Sequence, residues 1–128
     1  MDNGLIQGKV YTHDFICQMF GGDAKGGSYL VQTREGIVCG CFTGTMNPEA
    51  PECILIGNGP RIMAKAERMA QQGGSIPVFM KRGVNQWEYK GPYEFVRFSR
   101  DAADFETRAV LADRNDVAAA LFFKKGSE

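Results

Sequence analysis

Short β-branched and aromatic segments, each broken off by glycine, proline or a polar turn, are the feature that most restricts how this chain can fold. Segments of that kind read as strands, because they are too short for helices and lack a sustained 3.6-residue apolar repeat. The plainest pair is Ser28 to Gln32 and Ile37 to Phe42, which flank the polar turn Thr33-Arg34-Glu35-Gly36 and predict a β-hairpin. Leu5 to Tyr11 gives an earlier strand. Cys53 to Ile56 gives a buried one, after a stretch from Thr43 to Pro51 that Gly44, Asn47, Pro48 and Pro51 keep irregular. Ile76 to Lys81, a turn around Gly83 to Gln86, and Trp87 to Tyr89 predict a second hairpin. Lys90-Gly91-Pro92 then turns the chain into a strand from Tyr93 to Ser99, making a meander, and Val117 to Phe123 closes the set. By alternation, Trp87, Tyr89 and Phe95 share a face.

Three stretches carry helical signals. Thr12 can cap a short helix with Phe15, Ile16, Met19 and Phe20 on one side, ended by Gly21-Gly22. Pro60 stands at the first position of a second helix, Arg61 to Gln72, whose apolar side is Ile62, Ala66, Met69 and Ala70 and which Gly73-Gly74 stops. Asp101 can cap a third, running to about Ala112. Many short strands with three short helices predict an α+β fold, a strongly curved, mainly antiparallel sheet or partly open barrel with helices at its ends, which buries one face and limits exposed edges. At 128 residues, without repeats or an internal linker, the chain is expected to form one domain over 1–128, with 124–128 as a frayed tail.

Composition excludes some classes and leaves others open. An apolar fraction of 44% with 23% charged residues is that of an ordered globular domain. A formal net charge of zero removes any argument from bulk basicity, although charge can still be segregated on one face. No apolar run is long enough for a membrane span, and the start of the chain lacks the basic and apolar regions of a secretion signal, so a cytoplasmic location is expected. Cys17, Cys39, Cys41 and Cys53 show no metal-ligand spacing and His13 is the only histidine, so neither a metal nor a cofactor is expected. No nucleophile elbow, phosphate-binding loop or dinucleotide fingerprint occurs, and no catalytic residue is nominated. The nearest approach to an enzymatic pattern is Glu52 with Glu88 and Lys90, a loose imitation of a magnesium nuclease that ordinary strand-edge residues also explain.

What remains is binding. Arg61, Lys65 and Arg68 recur at helical spacing and form a basic ridge, with Glu67 as a partial counterweight. Lys81 and Arg82, and beyond them Lys90, Arg97 and Arg100, could extend one positive surface suited to phosphates. Trp87, Tyr89, Tyr93, Phe95 and Phe98 cluster beside that charge, most of them as core, and the glycine-rich loop from Gly21 to Tyr29 is the best candidate for a ligand-facing loop.

Several segments resemble a small bacterial domain found alone or fused to HNH endonucleases, which is related to the SET-and-RING-associated (SRA) readers of modified DNA and to the wider PUA-like barrels. They are Tyr11-Thr12 with Gly21-Gly22, Val38-Cys39-Gly40-Cys41-Phe42, Asn47-Pro48-Glu49-Ala50-Pro51 and Ile54 through Pro60, followed by Ile76 through Arg82 and Asn85 through Tyr93. The resemblance implies a PUA/SRA-like fold, a modified base in DNA flipped into a pocket, and no cleavage by the domain itself. The chain ends at Glu128 without a nuclease domain, so it implies an HNH or other nuclease acting in trans. The expected function is therefore a non-catalytic nucleic-acid-binding module linked to restriction or defence. Arg61, Lys65, Arg68, Lys81 and Arg82 are expected on phosphates, with Tyr11, Tyr29, Phe42 and Trp87 as candidate base-pocket residues chosen from chemistry and loop position. The alternatives are a protein-interaction module of a defence assembly and the magnesium nuclease; the oligomeric state stays open.

Overall fold

A computed structural model of the chain describes residues 4–21 and 29–126. Strand β1 (Val10–Tyr11) leads into helix α1 (His13–Phe20), then β2 (Leu30–Thr33), β3 (Gly36–Phe42) and β4 (Cys53–Gly57). Helix α2 (Pro60–Gln72) is followed by β5 (Ser75–Gly83) and β6 (Gln86–Ser99). A 3-10 turn (Ala102–Asp104) and helix α3 (Glu106–Leu111) precede β7 (Val117–Lys125). The strands form one sheet in the order β2-β3-β5-β6-β7-β4, with β1 added on β6. β3 and β5 run parallel and the other pairings are antiparallel. The sheet is mixed and strongly curled into a half-barrel, and with the helices it makes an α+β fold.

Alternation along the strands explains why the sheet is buried on both faces. Leu30, Ile37, Phe42, Ile54, Ile56, Val78, Leu121 and Phe123 face inward and pack with Ala66 and Met69 of α2. Their neighbours Val31, Cys39, Cys41, Phe79 and Tyr89 face outward into a second core with Ile16 of α1 and Tyr11. A third cluster sets Cys53, Leu55 and Ala120 against Phe105. Ala119 and Ala120 of β7 are fully buried, one facing each of two cores, so the alanines are where packing leaves little room. Gly40 has a similar basis: a Cβ there would lie 2.5 Å from the ring of Phe42, which folds back over the strand.

Local signals define the helices. Thr12 caps α1 by accepting a hydrogen bond from the Phe15 amide, and a glycine ends both long helices, Gly21 after α1 and Gly73 after α2. Several expectations need correction. Lys90-Gly91-Pro92 makes no turn: β6 continues through it, with Gly91 at φ +97° and a β-bulge in the pairing with β5. The bulge breaks the alternation, so Trp87 and Tyr89 belong to the outer core whereas Phe95 packs on the inner one. The first strand shrinks to Val10–Tyr11, and the third helix is split at Phe105. Ile62 is 42% exposed, and Met63 packs inward instead. β7 extends to Lys125, paired with Tyr93, so the expected tail begins as strand. Residues 22–28 of the glycine-rich loop lie outside the described residues.

Candidate functional site

The sheet path ends at β2 on one side and β4 on the other, and α2 packs across both ends as well as on β3 and β6. The helix therefore bridges the open side of the half-barrel. It is moored by side chains along its length. Gln72 accepts a hydrogen bond from the Ile37 amide at Oε1 and donates to the Ile37 carbonyl from Nε2, both at 2.8 Å. Arg68 donates to Gln32 Oε1 and to the Arg34 carbonyl, each at 2.9 Å. At the other end the Tyr29 hydroxyl donates to the Ile62 carbonyl at 2.7 Å, and burial pushes its phenol pKa well above the usual value.

Beneath α2 lies a cleft of about 940 Å³. The helix contributes Arg61, Ile62, Lys65 and Arg68; β3 and the residue after it contribute Cys41, Phe42 and Thr43; Trp87 enters from β6. Met46, Asn47, Leu55, Gly57 and Arg114 line it from the loop after β3, from β4 and from the turn before β7. Among the described residues the lining holds four cations, Arg61, Lys65, Arg68 and Arg114, and no carboxylate. Arg61 is exposed and makes no hydrogen bond or ion pair with the described residues, so its guanidinium is available to an anionic ligand. Arg68 brings an unneutralised charge, but two of its donors are occupied in holding the β2–β3 hairpin.

Six of the nine nominated residues thus come together around one cleft: Arg61, Lys65, Arg68, Tyr29, Phe42 and Trp87. Of the rings, Trp87 is half-buried and offers surface, Tyr29 is tethered through its hydroxyl, and only 1% of Phe42 reaches solvent. Tyr11 is placed elsewhere. It stacks on Phe15 with ring centres 4.7 Å apart, accepts a hydrogen bond from the Ile6 amide, and is 8% exposed in the outer core, which removes it from the base-pocket candidates. Lys81 and Arg82 line a second, shallower hollow of about 390 Å³, which shares Thr43 with the cleft.

The wider positive surface does not form, because most of its cations are paired. Arg82 and Lys90 both meet Glu88, Arg97 meets Asp104, and Arg100 meets Glu67. The same pairing holds the Glu88 carboxyl below its usual pKa, chiefly through the Arg82 hydrogen bond. Glu88 is thereby occupied by cations where the nuclease alternative needs it on a metal. Among the described residues no group of three or more His, Cys, Asp or Glu side chains could hold a metal ion, and no helix is long and apolar enough to cross a membrane.

Arg114 escaped the sequence reading, because a lone arginine in a polar turn carries no local signal. Its side chain is only 10% exposed. It donates to both oxygens of Asp116 and to the carbonyls of Met46 and Leu55, joining the turn before β7 to two segments distant in sequence. The hydrogen bond to Arg114 lowers the Asp116 pKa. Gly57 makes room for this pair, since a Cβ there would lie 2.6 Å from Asp116 Oδ2. Asn47, also buried, accepts from the Leu55 amide at 2.8 Å and fixes the same loop on β4. The side of the cleft opposite α2 is therefore also tied down by side-chain hydrogen bonds.

No family model matches the chain, nor does any curated protein or solved structure.

Proposed function

We propose that the chain is a nucleic-acid-binding module that receives one unstacked nucleotide in the α2 cleft and acts by binding rather than by cleavage. The observation that carries this reading is the cleft itself, where the α2 cations Arg61, Lys65 and Arg68 stand beside an indole and apolar side chains, the fourth lining cation, Arg114, being paired with Asp116. Phosphate requires the first and a base the second. Its volume of about 940 Å³ admits a nucleotide with its phosphates. Arg61 and Lys65 serve as phosphate contacts, Arg68 adds charge while holding the hairpin, and Trp87 gives the base a surface to stack on. The described lining offers neither a carboxylate nor a histidine to act as general base, which favours sensing over chemistry. A modified cytosine in DNA is the ligand to which the SRA-like resemblance leads, and a nuclease in trans is the effector it implies.

Anisotropy titrations with labelled duplexes, plain or carrying 5-methylcytosine, at low and moderate salt test the proposal. Affinity is expected to fall as salt rises, and Arg61→Gln to reduce the slope of log affinity against log salt by about one. Salt-independent affinity, or no binding to either duplex, overturns it.

A further inference from the structure

We propose that the hollow lined by Lys81 continues the α2 cleft and takes the neighbouring nucleotide of the same strand, with Lys81 on the linking phosphate. The inference rests on the nucleic-acid reading of the cleft and deepens it, because it makes the ligand a phosphodiester-linked segment instead of a lone nucleotide. Topology brings the two spaces together. β3 and β5 run parallel with Phe42 beside Met80, so Thr43, the first residue past β3, follows on next to Lys81, which stays in β5, and Thr43 borders both spaces. Trp87 lies opposite Lys81 in the β5–β6 pairing and lines the cleft, whereas Lys81 lines the hollow. The Lys81 ammonium is 6.0 Å from the centre of the Trp87 ring, which puts a cation at the junction.

Charge separates Lys81 from its neighbour. Arg82 is bonded to Glu88, but Lys81 has no carboxylate partner among the described residues and keeps its charge for a ligand. The rest of the hollow suits a second nucleotide: Thr43 and Thr45 bring hydroxyls, and Gly44 and Gly83 leave room. Val84, 91% exposed at the tip of the β5–β6 turn, presents an apolar side chain against which a base can pack. That turn is pinned in place, because Asn85 Oδ1 accepts a hydrogen bond at 2.8 Å from the His13 amide at the start of α1.

Calorimetric titration of 5-methyldeoxycytidine 5′-monophosphate, and of a trinucleotide with thymidine on either side of the same nucleotide, provides the test. The protein is expected to prefer the trinucleotide, and Lys81→Gln to weaken it roughly tenfold, the scale of one charge-assisted contact, while the mononucleotide shifts less than about twofold. Lys81→Arg should restore the preference, which a purely structural role would not require. Lys81 is exposed, and unchanged melting of both variants confirms that their fold is retained. Equal losses for both ligands, or undiminished trinucleotide affinity in Lys81→Gln, overturn the inference. If the mononucleotide and trinucleotide bind equally well with a normal salt slope, this inference fails and the cleft proposal stands; if neither binds, both fail.

Discussion

Replacing Gln72 by alanine tests whether the amide latch at the end of α2 holds the helix on the sheet. The side chain answers both backbone groups of Ile37, a residue only 4% exposed, and it occupies the space beside Gly36, where a Cβ would lie 2.6 Å from Gln72 Oε1. Losing the partner of a buried backbone group costs about 1–3 kcal/mol. Gln72 is itself exposed, so water can enter the vacated space and the sum stays near the low end, about 2 kcal/mol for the two bonds. The better helix propensity of alanine returns only a few tenths. With an unfolding entropy of roughly 0.27 kcal/mol per kelvin for 128 residues, the expected loss is about 6–7 °C in Tm. Thermal melts followed by circular dichroism measure it, with Gln71→Ala as the exposed control on the same helix. Gln72→Glu should do no better than alanine, because it keeps an acceptor for the Ile37 amide but turns a second oxygen toward the Ile37 carbonyl. A Gln72→Ala melt indistinguishable from that of Gln71→Ala would refute the latch.

Two further perturbations probe the walls of the cleft. Because Arg114 depresses the Asp116 pKa, this pair contributes stability that is present above the unfolded carboxyl value near 3.9 and is lost as pH falls through the lower folded value. Asp116→Asn should therefore be less stable than the parent at pH 7 and converge with it toward pH 2 in urea titrations; a gap that does not change with pH contradicts the assignment. Gly40→Ala drives a methyl into the Phe42 ring, which is packed in the inner core and cannot swing freely, so a loss of about 1–3 kcal/mol is expected. An unfolding midpoint equal to that of the parent would show that the ring gives way.

What the sequence discloses about this molecule is mostly local. The β2–β3 hairpin and α2 are legible because their signals lie within or beside them: a polar turn between β-branched runs, and Pro60 and Gly73 at the two ends of a helix. The Arg61, Lys65 and Arg68 ridge follows from helical spacing in the same way. Gly91-Pro92 misleads for a physical reason, since a positive φ serves a bulge inside a strand as well as it serves a turn. The parallel pairing of β3 with β5 leaves no mark in either segment, because β4 and α2 intervene and the register is decided across the sheet. Arg114 was hidden for the same reason, as its carbonyl partners Met46 and Leu55 come from other elements. Arg97 and Arg100 look like free surface charge until Asp104 and Glu67 come within reach of them.

Trp87 is the only indole in the chain, and it lines the α2 cleft with its ring centre 6.0 Å from the ammonium of Lys81, which lines the second hollow. Light absorbed selectively by tryptophan is therefore emitted from the spot where a nucleotide would arrive. The wavelength and yield of that emission follow the wetness of the ring and its distance from the Lys81 ammonium, so filling either hollow writes itself into the spectrum of the unlabelled protein. Stopped-flow recording of that glow can time the arrival of the first nucleotide separately from that of its neighbour.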